Sequence, residues 1–293
     1  MDAGNELGPR LVNAGGFIDG AGPFAGPTRA LVTAAAGAAR WVNAYADSGF
    51  EQIKIYTSMP PALVPGITAL AHARGLRVSG HVPSGMTAAD AVRAGYDEIH
   101  HISFIALNFL GTDTIDTRGA ARFTVPEERA GTIDTASAAV HEFIQFLHDR
   151  RITVDPTICA YVPPPASPGS AARTIPWTRS DSVMVELTGM LYRGGVHLVI
   201  GTDNSCTVPE ELRFYTWLGI PPVDAIRLAT LNAAEYTHRG GDLGSIVPGK
   251  LADMVLVSAD PTVDVAALAR VTQVIKDGIL YDMAALRSSL VYP

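Results

Sequence analysis

The stretch RVSGHVPSGMTAADAVRAGYDEIHHIS, residues 77–103, contains two short apolar runs that end in histidines, with a helical segment between them. His81 lies near the end of the first run, and His100 and His101 lie in the second. Two β-branched runs that flank a segment of helical periodicity are typical of a βαβ unit with parallel strands. Because the functional groups of such units gather at the carboxyl ends of the strands, both runs predict a site there.

The same alternation continues outward from this stretch, from about residue 10 to residue 260. Strands are predicted at RLVNAGG (10–16), QIKIYT (52–57), RVSGHV (77–82), EIHHIS (98–103), ITVDPT (152–157) and HLVIGTD (197–203). Helices are predicted at 27–49, 61–75, 87–95, 136–151, 181–195 and 221–237. Repeated βα units of this kind predict an α/β fold, here an incomplete TIM-like β/α barrel.

The pattern changes after the last predicted helix. Residues 243–261 and 271–282 read as short strands joined by turns that contain Gly, Pro and Asp. We therefore predict a barrel over residues 1–238, and a portion of a small β-sandwich with a tail over residues 239–293. The long irregular segment 112–132 predicts a lid or binding loop.

Composition excludes several functional classes. The net charge is −7, and no run of Lys or Arg is present, which argues against a nucleic-acid partner. No apolar stretch is long enough to cross a membrane, and the start resembles no secretory signal, so a soluble protein is expected, cytoplasmic by default. Two cysteines, Cys159 and Cys206, are too few for a disulfide framework, and their spacing does not match a zinc finger. We expect both to be reduced and buried.

Four side chains able to bind a metal lie in or at the end of predicted strands: Lys54, His81, His101 and Asp203. Each has an ordinary structural explanation when taken alone, for example a turn cap at Asp203 or a lysine stem that lies over apolar neighbours. Together, imidazole nitrogens and carboxylate oxygens suit a divalent first-row metal such as zinc. A lysine within an apolar strand is disfavoured as a cation, and its neutral form can take up carbon dioxide as a carbamate.

Several stretches resemble successive landmarks of the metal-dependent amidohydrolase superfamily, in its imidazolonepropionase-like and Xaa-Pro dipeptidase-like branch. These are FEQIKIYTSMPPALVPGITALAHARGLRVSGHVP, AGYDEIHHIS, GVHLVIGTDN, AIRLATLNAAEYT and LGSIVPGKLADMVLVSADPTVDV. The resemblance implies that Lys54 becomes carboxylated and bridges two metals, and that His81 and His101 bind the more exposed one. It implies that Asp203 binds the buried metal and transfers protons as general acid and base.

Of the adjacent histidines, His101 is the predicted ligand, because neighbouring strand residues face opposite ways and His100 and His101 are not both expected in the metal site. Tyr56, Tyr161 and His100 are candidates for substrate binding, and His197 is a further one. The reaction implied is hydrolysis of an amide bond, in a cyclic amide, an N-acyl amino acid or an Xaa-Pro dipeptide. The cofactor implied is one or two divalent metals.

The chain departs from the family in one respect, since it contains no His-x-His pair of the kind that completes the buried metal site. We expect the first two barrel strands and half of the sandwich to be absent, so that a second copy or a partner segment covers the open edges. Two other functions stay open: a catalytically impaired chain that acts as a binding module, and a lactone or phosphoester hydrolase on the same fold.

Overall fold

The computed structural model describes residues 8–23, 29–111, 114–164 and 176–289. In these residues, short parallel strands alternate with helices, and a small antiparallel sheet follows them. The strands of the parallel part are β1 (Phe17–Asp19), β2 (Arg29–Leu31), β3 (Gln52–Ile55), β4 (Arg77–Gly80), β5 (Glu98–His100), β6 (Thr153–Asp155) and β7 (His197–Leu198). The antiparallel strands are β8 (Met254–Val257), β9 (Val271–Lys276) and β10 (Ile279–Asp282).

The helices that connect and cover these strands follow in chain order. They are α1 (Ala35–Asp47), α2 (Val64–Ala73), α3 (Ala88–Arg93), α4 (Ile102–Leu107), α5 (Ala121–Arg129), α6 (Ala138–Asp149), α7 (Arg179–Arg193), α8 (Val208–Trp217), α9 (Pro222–Ala229), α10 (Leu231–Tyr236) and α11 (Met283–Ser289). Capping boxes begin three of them: α3 at Thr87 with Asp90, α7 at Thr178 with Asp181, and α8 at Thr207 with Glu210. Each box satisfies backbone N–H groups that the first helical turn leaves free.

Three sheets form. The first has the order β2-β1-β3-β4, the second β5-β6-β7 and the third β10-β9-β8. The first two adjoin at β4 and β5, where the Asp97 backbone N–H donates to the Val78 carbonyl at 2.9 Å. Parallel order across this junction places the carboxyl ends of β3 to β6 on one rim, where His81 and His101 follow their strands.

The core fills the space between strands and helices with aliphatic side chains. Ile53 and Ile55 of β3, Val78 of β4, Ile99 of β5 and Val154 of β6 are fully buried. Burial of one such side chain contributes about 1.5–3 kcal/mol. These residues hold the central strands in register and thereby fix the positions of the groups that follow each strand.

Gly80 allows β3 and β4 to approach closely just before His81. Its φ is 137°, and a Cβ at this position would lie 2.1 Å from the Ile55 carbonyl oxygen. The His81 N–H donates to that same carbonyl at 3.0 Å. A larger residue at position 80 would therefore displace the strand end that carries His81.

The central strands and the three C-terminal strands confirm the predicted order, but the N-terminal strand prediction is wrong. Residues 10–16 form no strand; Arg10 instead makes an ion pair with Asp277 at 2.5 Å, beside the antiparallel sheet. The chain turns at Gly15, with φ 68°, and β1 begins at Phe17. All seven residues of the predicted strand thus lie before β1, and the left-handed backbone at Gly15 separates them from it.

Three further predictions need correction. The helix predicted over 27–49 is shorter, because Arg29–Leu31 pairs with β1 as β2 and α1 begins only at Ala35. The loop predicted over 112–132 contains helix α5, although residues 112 and 113 lie outside the described part. The helix predicted over 221–237 is interrupted at Thr230, whose ψ of −88° separates α9 from α10.

Cys159 and Cys206 form a disulfide, so the expectation of two reduced, buried cysteines is wrong. Both side chains are partly exposed. The two cysteines are 47 residues apart in sequence, and only the proximity of the segments after β6 and β7 brings them together. In the described part of the chain, no helix is long and apolar enough to span a membrane.

Candidate functional site

The ends of β4 and β5 place two imidazole rings against each other. The Nε2 atoms of His81 and His101 are 2.8 Å apart, and the two side chains are 4% and 3% exposed. His101 leaves the strand with φ 71°, while its backbone N–H still donates to the Asp155 carbonyl of β6 at 2.7 Å. This left-handed residue turns the ring of His101 towards His81.

Burial lowers the pKa of both His81 and His101 well below the usual value, and the nearby charge of Lys54 lowers it further. Both rings are therefore neutral near pH 7, and neutral imidazole is the form that binds metals. The Nδ1 atoms of both rings are buried and have no hydrogen-bond partner among the described residues. Two neutral, convergent imidazoles fit a shared divalent ion.

Lys54 and Asp203 are placed differently from each other. Lys54 lies in the middle of β3, partly buried, and its charge acts on both histidines. Asp203 is exposed, in a turn where it has φ 45° and Asn204 has φ 58°. Among the described residues, Asp203 belongs to no group of three His, Cys, Asp or Glu ligand atoms within 4.8 Å of one another.

Asp203 nevertheless faces the same rim. Burial raises the pKa of Tyr56 and of Tyr161, and the Asp203 carboxylate raises both further. The structure thus brings His81 and His101 into contact, places Lys54 within electrostatic range of them, and leaves Asp203 at the edge of the site.

His100 lies close to His101, although neighbouring strand residues usually face opposite ways. Their ring centroids are 5.8 Å apart, and His100 lies opposite Asp155 in the β5–β6 pairing. The alternation of a strand does not apply across this pair, because His101 has already left the strand with positive φ. His100 also contacts Glu98, with 3.1 Å between Nε2 and Oε2.

Aromatic residues and one arginine form the wall around the imidazole pair. Tyr56 stacks on His81 with 4.1 Å between ring centroids, and Tyr161 lies 5.6 Å from His101. Arg122 of α5 is 3% exposed, and its Nη2 approaches the Tyr56 hydroxyl at 3.4 Å. Its charge contributes to lowering the pKa of both histidines. The wall therefore offers two phenols and a buried cation.

Asp155, at the end of β6, is a residue that sequence reasoning missed. Burial raises its pKa to about 6, while the charges of His100 and Lys54 oppose that rise. Its Oδ1 accepts hydrogen bonds from the Thr157 N–H at 3.1 Å and the Thr157 hydroxyl at 2.8 Å. The sequence did contain a signal for Asp155, because it lies near the end of the predicted strand 152–157, where functional groups are expected. Arg122 was missed because nothing in its local sequence marks it.

Two cavities lie outside this group of residues. One of about 550 Å³ lies on the same rim and is lined in part by Ser58, Ser84 and Asp116. The other, of about 570 Å³, lies at the amino ends of the strands and includes His197, whose Nδ1 is 3.1 Å from the Thr153 hydroxyl. His197 therefore lies at the opposite end from the imidazole pair and is not a residue of this site.

Comparison with known proteins agrees with the resemblance. The model of the amidohydrolase family matches residues 1–280. A 5-methylthioadenosine/S-adenosylhomocysteine deaminase of Thermoanaerobacter pseudethanolicus is 30% identical over 84 residues, which cover 24% of this chain and 20% of the deaminase. The chain thus aligns with about a fifth of this curated relative.

Two solved structures share the fold. The crystal structure of an Xaa-Pro dipeptidase with bound methionine in its active site superposes with a TM-score of 0.67 and 22% identity, covering 96% of this chain and 70% of that one. A prolidase complexed with N-methylphosphonate-L-proline superposes with a TM-score of 0.66 and 20% identity, covering 96% and 71%. The match of the family model over residues 1–280 confirms the predicted resemblance, and the chain belongs to the amidohydrolase family.

Proposed function

We propose that the protein is a metal-dependent hydrolase that cleaves an amide C–N bond close to a free carboxylate, in an N-acyl amino acid or an Xaa-Pro type dipeptide. The observation that carries the proposal is the pair of neutral imidazoles, with 2.8 Å between the Nε2 atoms of His81 and His101. Family membership and the fold shared with the dipeptidase and prolidase structures support hydrolysis of a C–N bond.

His81, His101 and Lys54 are the proposed ligands of one divalent ion, with zinc as the expected metal. Three protein ligands with an open position suit a catalytic zinc site. Lys54 would serve as a carbamate, because a carboxylate-like oxygen ligand replaces a cation that would repel the ion. A second ion would have Lys54 and Asp203 as ligands. When bound, the metal would supply a water of lowered pKa and polarise the scissile carbonyl.

Asp203 is the proposed proton carrier. Its carboxylate would accept the proton of the attacking water and deliver it to the leaving nitrogen, so that amide and water give a carboxylic acid and an amine. Its exposed position leaves it accessible to water and substrate. Asp203 and the imidazole pair would approach more closely in the loaded enzyme, since catalytic contacts often tighten only with substrate bound.

Arg122 is the proposed recognition group for the substrate carboxylate, assisted by Tyr56 and Tyr161. A guanidinium that is 3% exposed forms a strong charge-assisted hydrogen bond with a carboxylate. Its neighbours include the phenol of Tyr56 and the backbone carbonyls of Arg118 and Gly119, at 3.3 and 3.2 Å. His100, near His101 and Asp155, would line the floor beneath the substrate.

The architecture proposed for this chemistry is an incomplete β/α barrel over residues 1–238 and part of a β-sandwich over residues 239–293. Several apolar side chains of the antiparallel sheet are exposed, among them Val255 at 55% and Ile279 at 58%. Exposed apolar strands usually pack against another surface. We propose that a second copy or a partner segment covers them, which measurement of the native mass in solution would test.

A substrate panel tests the proposed function. Protein loaded with zinc would be assayed on N-acyl amino acids and Xaa-Pro dipeptides, each beside its C-terminal amide, and on lactones and aryl phosphoesters. Turnover of the free acids with at least about tenfold loss for the amides is expected, in line with one lost charge-assisted hydrogen bond. Turnover of lactones or phosphoesters alone, or of no substrate by metal-loaded protein, would overturn the proposal.

A further inference from the structure

A second cluster of metal-binding atoms lies next to the turn that carries Asp203. It consists of the sulfurs of Cys159 and Cys206 and a carboxylate oxygen of Glu211, all within 4.8 Å of one another. Cys159 belongs to the short 3₁₀ turn Ile158–Ala160 after β6, and Cys206 follows β7. Glu211 comes from α8. Three separate segments thus meet at one point.

Glu211 is fixed in this cluster. Its side chain is fully buried, Oε1 accepts from the Ile158 N–H at 2.9 Å, and Oε2 accepts from the Cys159 N–H at 2.9 Å. A carboxylate has about four lone-pair positions; the two backbone N–H groups and the Tyr215 hydroxyl use three of them, so one remains for a further partner. The backbone of the turn after β6 thus holds the carboxyl group close to the sulfurs.

The charge of Glu211 would respond to a cation at this point. Burial raises the pKa of Glu211 to about 8, and the carboxyl group of Asp155 contributes to this rise. A nearby divalent ion would favour the charged form of Glu211 and release its proton. The disulfide of the structure occupies both sulfurs, so such an ion requires their reduction.

We propose that Cys159, Cys206 and Glu211 form a second metal site, which opens when the disulfide is reduced and takes a thiophilic divalent cation of the zinc and cadmium type. Two thiolates, one carboxylate and a water make a tetrahedral ligand set that suits zinc. The site is distinct from the imidazole pair and does not depend on the proposed function.

The chemistry balances with a phosphine as reductant. The phosphine and one water reduce the S–S bond to two thiols, and the phosphine becomes its oxide. Binding of the cation then releases the two thiol protons. If Glu211 is protonated beforehand, its proton is released as well. In either state, disulfide or metal bridge, the segment with Asp203 stays tied to the turn after β6.

Cadmium titration tests the site, because cadmium bound to thiolate gives a near-ultraviolet charge-transfer band that imidazole and carboxylate ligands do not give. The whole chain would be reduced with a phosphine, desalted without oxygen, checked for two free thiols and titrated with Cd²⁺. One equivalent should produce the band in the reduced protein and none in the oxidised protein. The variant with His81→Asn and His101→Asn should keep the band.

Two variants and one chemical block complete the test. Cys206→Ser should abolish the two-thiolate band, and Glu211→Gln should weaken cadmium binding by about tenfold or more. If Cys206→Ser fails to fold by circular dichroism, alkylation of the reduced wild-type thiols replaces it. Two free thiols without a band in the reduced wild type would overturn the site. A band of full intensity in Cys206→Ser or in alkylated protein would also overturn it. Unchanged cadmium affinity in Glu211→Gln would show that Glu211 is not a ligand.

Discussion

The Nε2 atoms of His81 and His101 lie 2.8 Å apart although the residues are 20 positions apart in the chain. Their contact depends on the β4-α3-β5 unit and on two unusual backbone conformations, φ 137° at Gly80 and φ 71° at His101. The first lets β4 close on β3, and the second turns a ring inward that regular strand geometry would turn away. The contact between the two rings therefore depends on backbone conformation as much as on the identity of the two residues.

Gly80→Ala should destabilise the protein by more than about 2 kcal/mol, because a Cβ would meet the Ile55 carbonyl oxygen at 2.1 Å and the positive φ disfavours alanine. Gly66→Ala is the matched control. A Cβ at Gly66 has open space in helix α2, and the substitution should stabilise by up to about 1 kcal/mol. Urea unfolding measures both, and equal effects would contradict the role of Gly80.

Arg122→Met should raise KM for substrates with a free carboxylate by about tenfold or more and leave the matching amides unaffected, because the charge-assisted bond is lost. Arg129→Met, on the exposed side of the same helix, is the control and should behave as wild type. Steady-state kinetics on matched acid and amide pairs give the answer. An equal loss of activity on the acid and on the amide of a pair would show that Arg122 supports the structure and does not bind the substrate carboxylate.

Lys54→Met should remove activity and lower the metal content, because neither a carbamate nor a lysine can then face the ion. Wild-type protein incubated with ¹³C-bicarbonate should show a labelled carbamate in its NMR spectrum, and Lys54→Met should not. Lys250→Met, whose Nζ donates to the Leu243 carbonyl at 2.9 Å, is the control and should keep the carbamate signal. A carbamate signal that persists in Lys54→Met would contradict the assignment.

The stability difference between Glu211→Gln and wild type should grow in favour of the variant as pH rises. Burial raises the pKa of Glu211 from 4.5 to about 8 in the folded protein. The folded state then binds the proton more tightly than the unfolded state, so wild-type stability falls as pH rises from about 4.5 to about 8 and levels off above. Thermal unfolding across this range measures the trend, and a constant difference would contradict it.

Sequence periodicity predicted the central strands and the positions of His81 and His101 at the ends of neighbouring strands, because both follow from local apolar runs and from the geometry of parallel strands. It failed near the N-terminus, where β1 and β2 are short and lie among Gly and Pro residues. The pairing of β2 with β1 determines the secondary structure of that region, and the periodicity of a sequence does not reveal which strands pair.

The remaining differences are also long-range. The Cys159–Cys206 bond joins segments that no local pattern connects, and Arg122 reaches Tyr56 from a helix in a stretch for which the sequence predicts a loop. The inward ring of His101 depends on a positive φ that a histidine rarely adopts. Each of these features comes from tertiary contact or backbone strain, which a pattern of residue types does not encode.

Metal content tests the central claim most directly. Wild-type protein, His101→Asn and the control His141→Asn, which alters an exposed helical histidine, would be loaded with zinc under oxidising conditions, dialysed and measured by elemental analysis. With the disulfide intact, wild type and His141→Asn should retain at least one ion per chain, and His101→Asn should lose most of it. Equal zinc in all three proteins, or none in wild type, would contradict a metal held by His81 and His101.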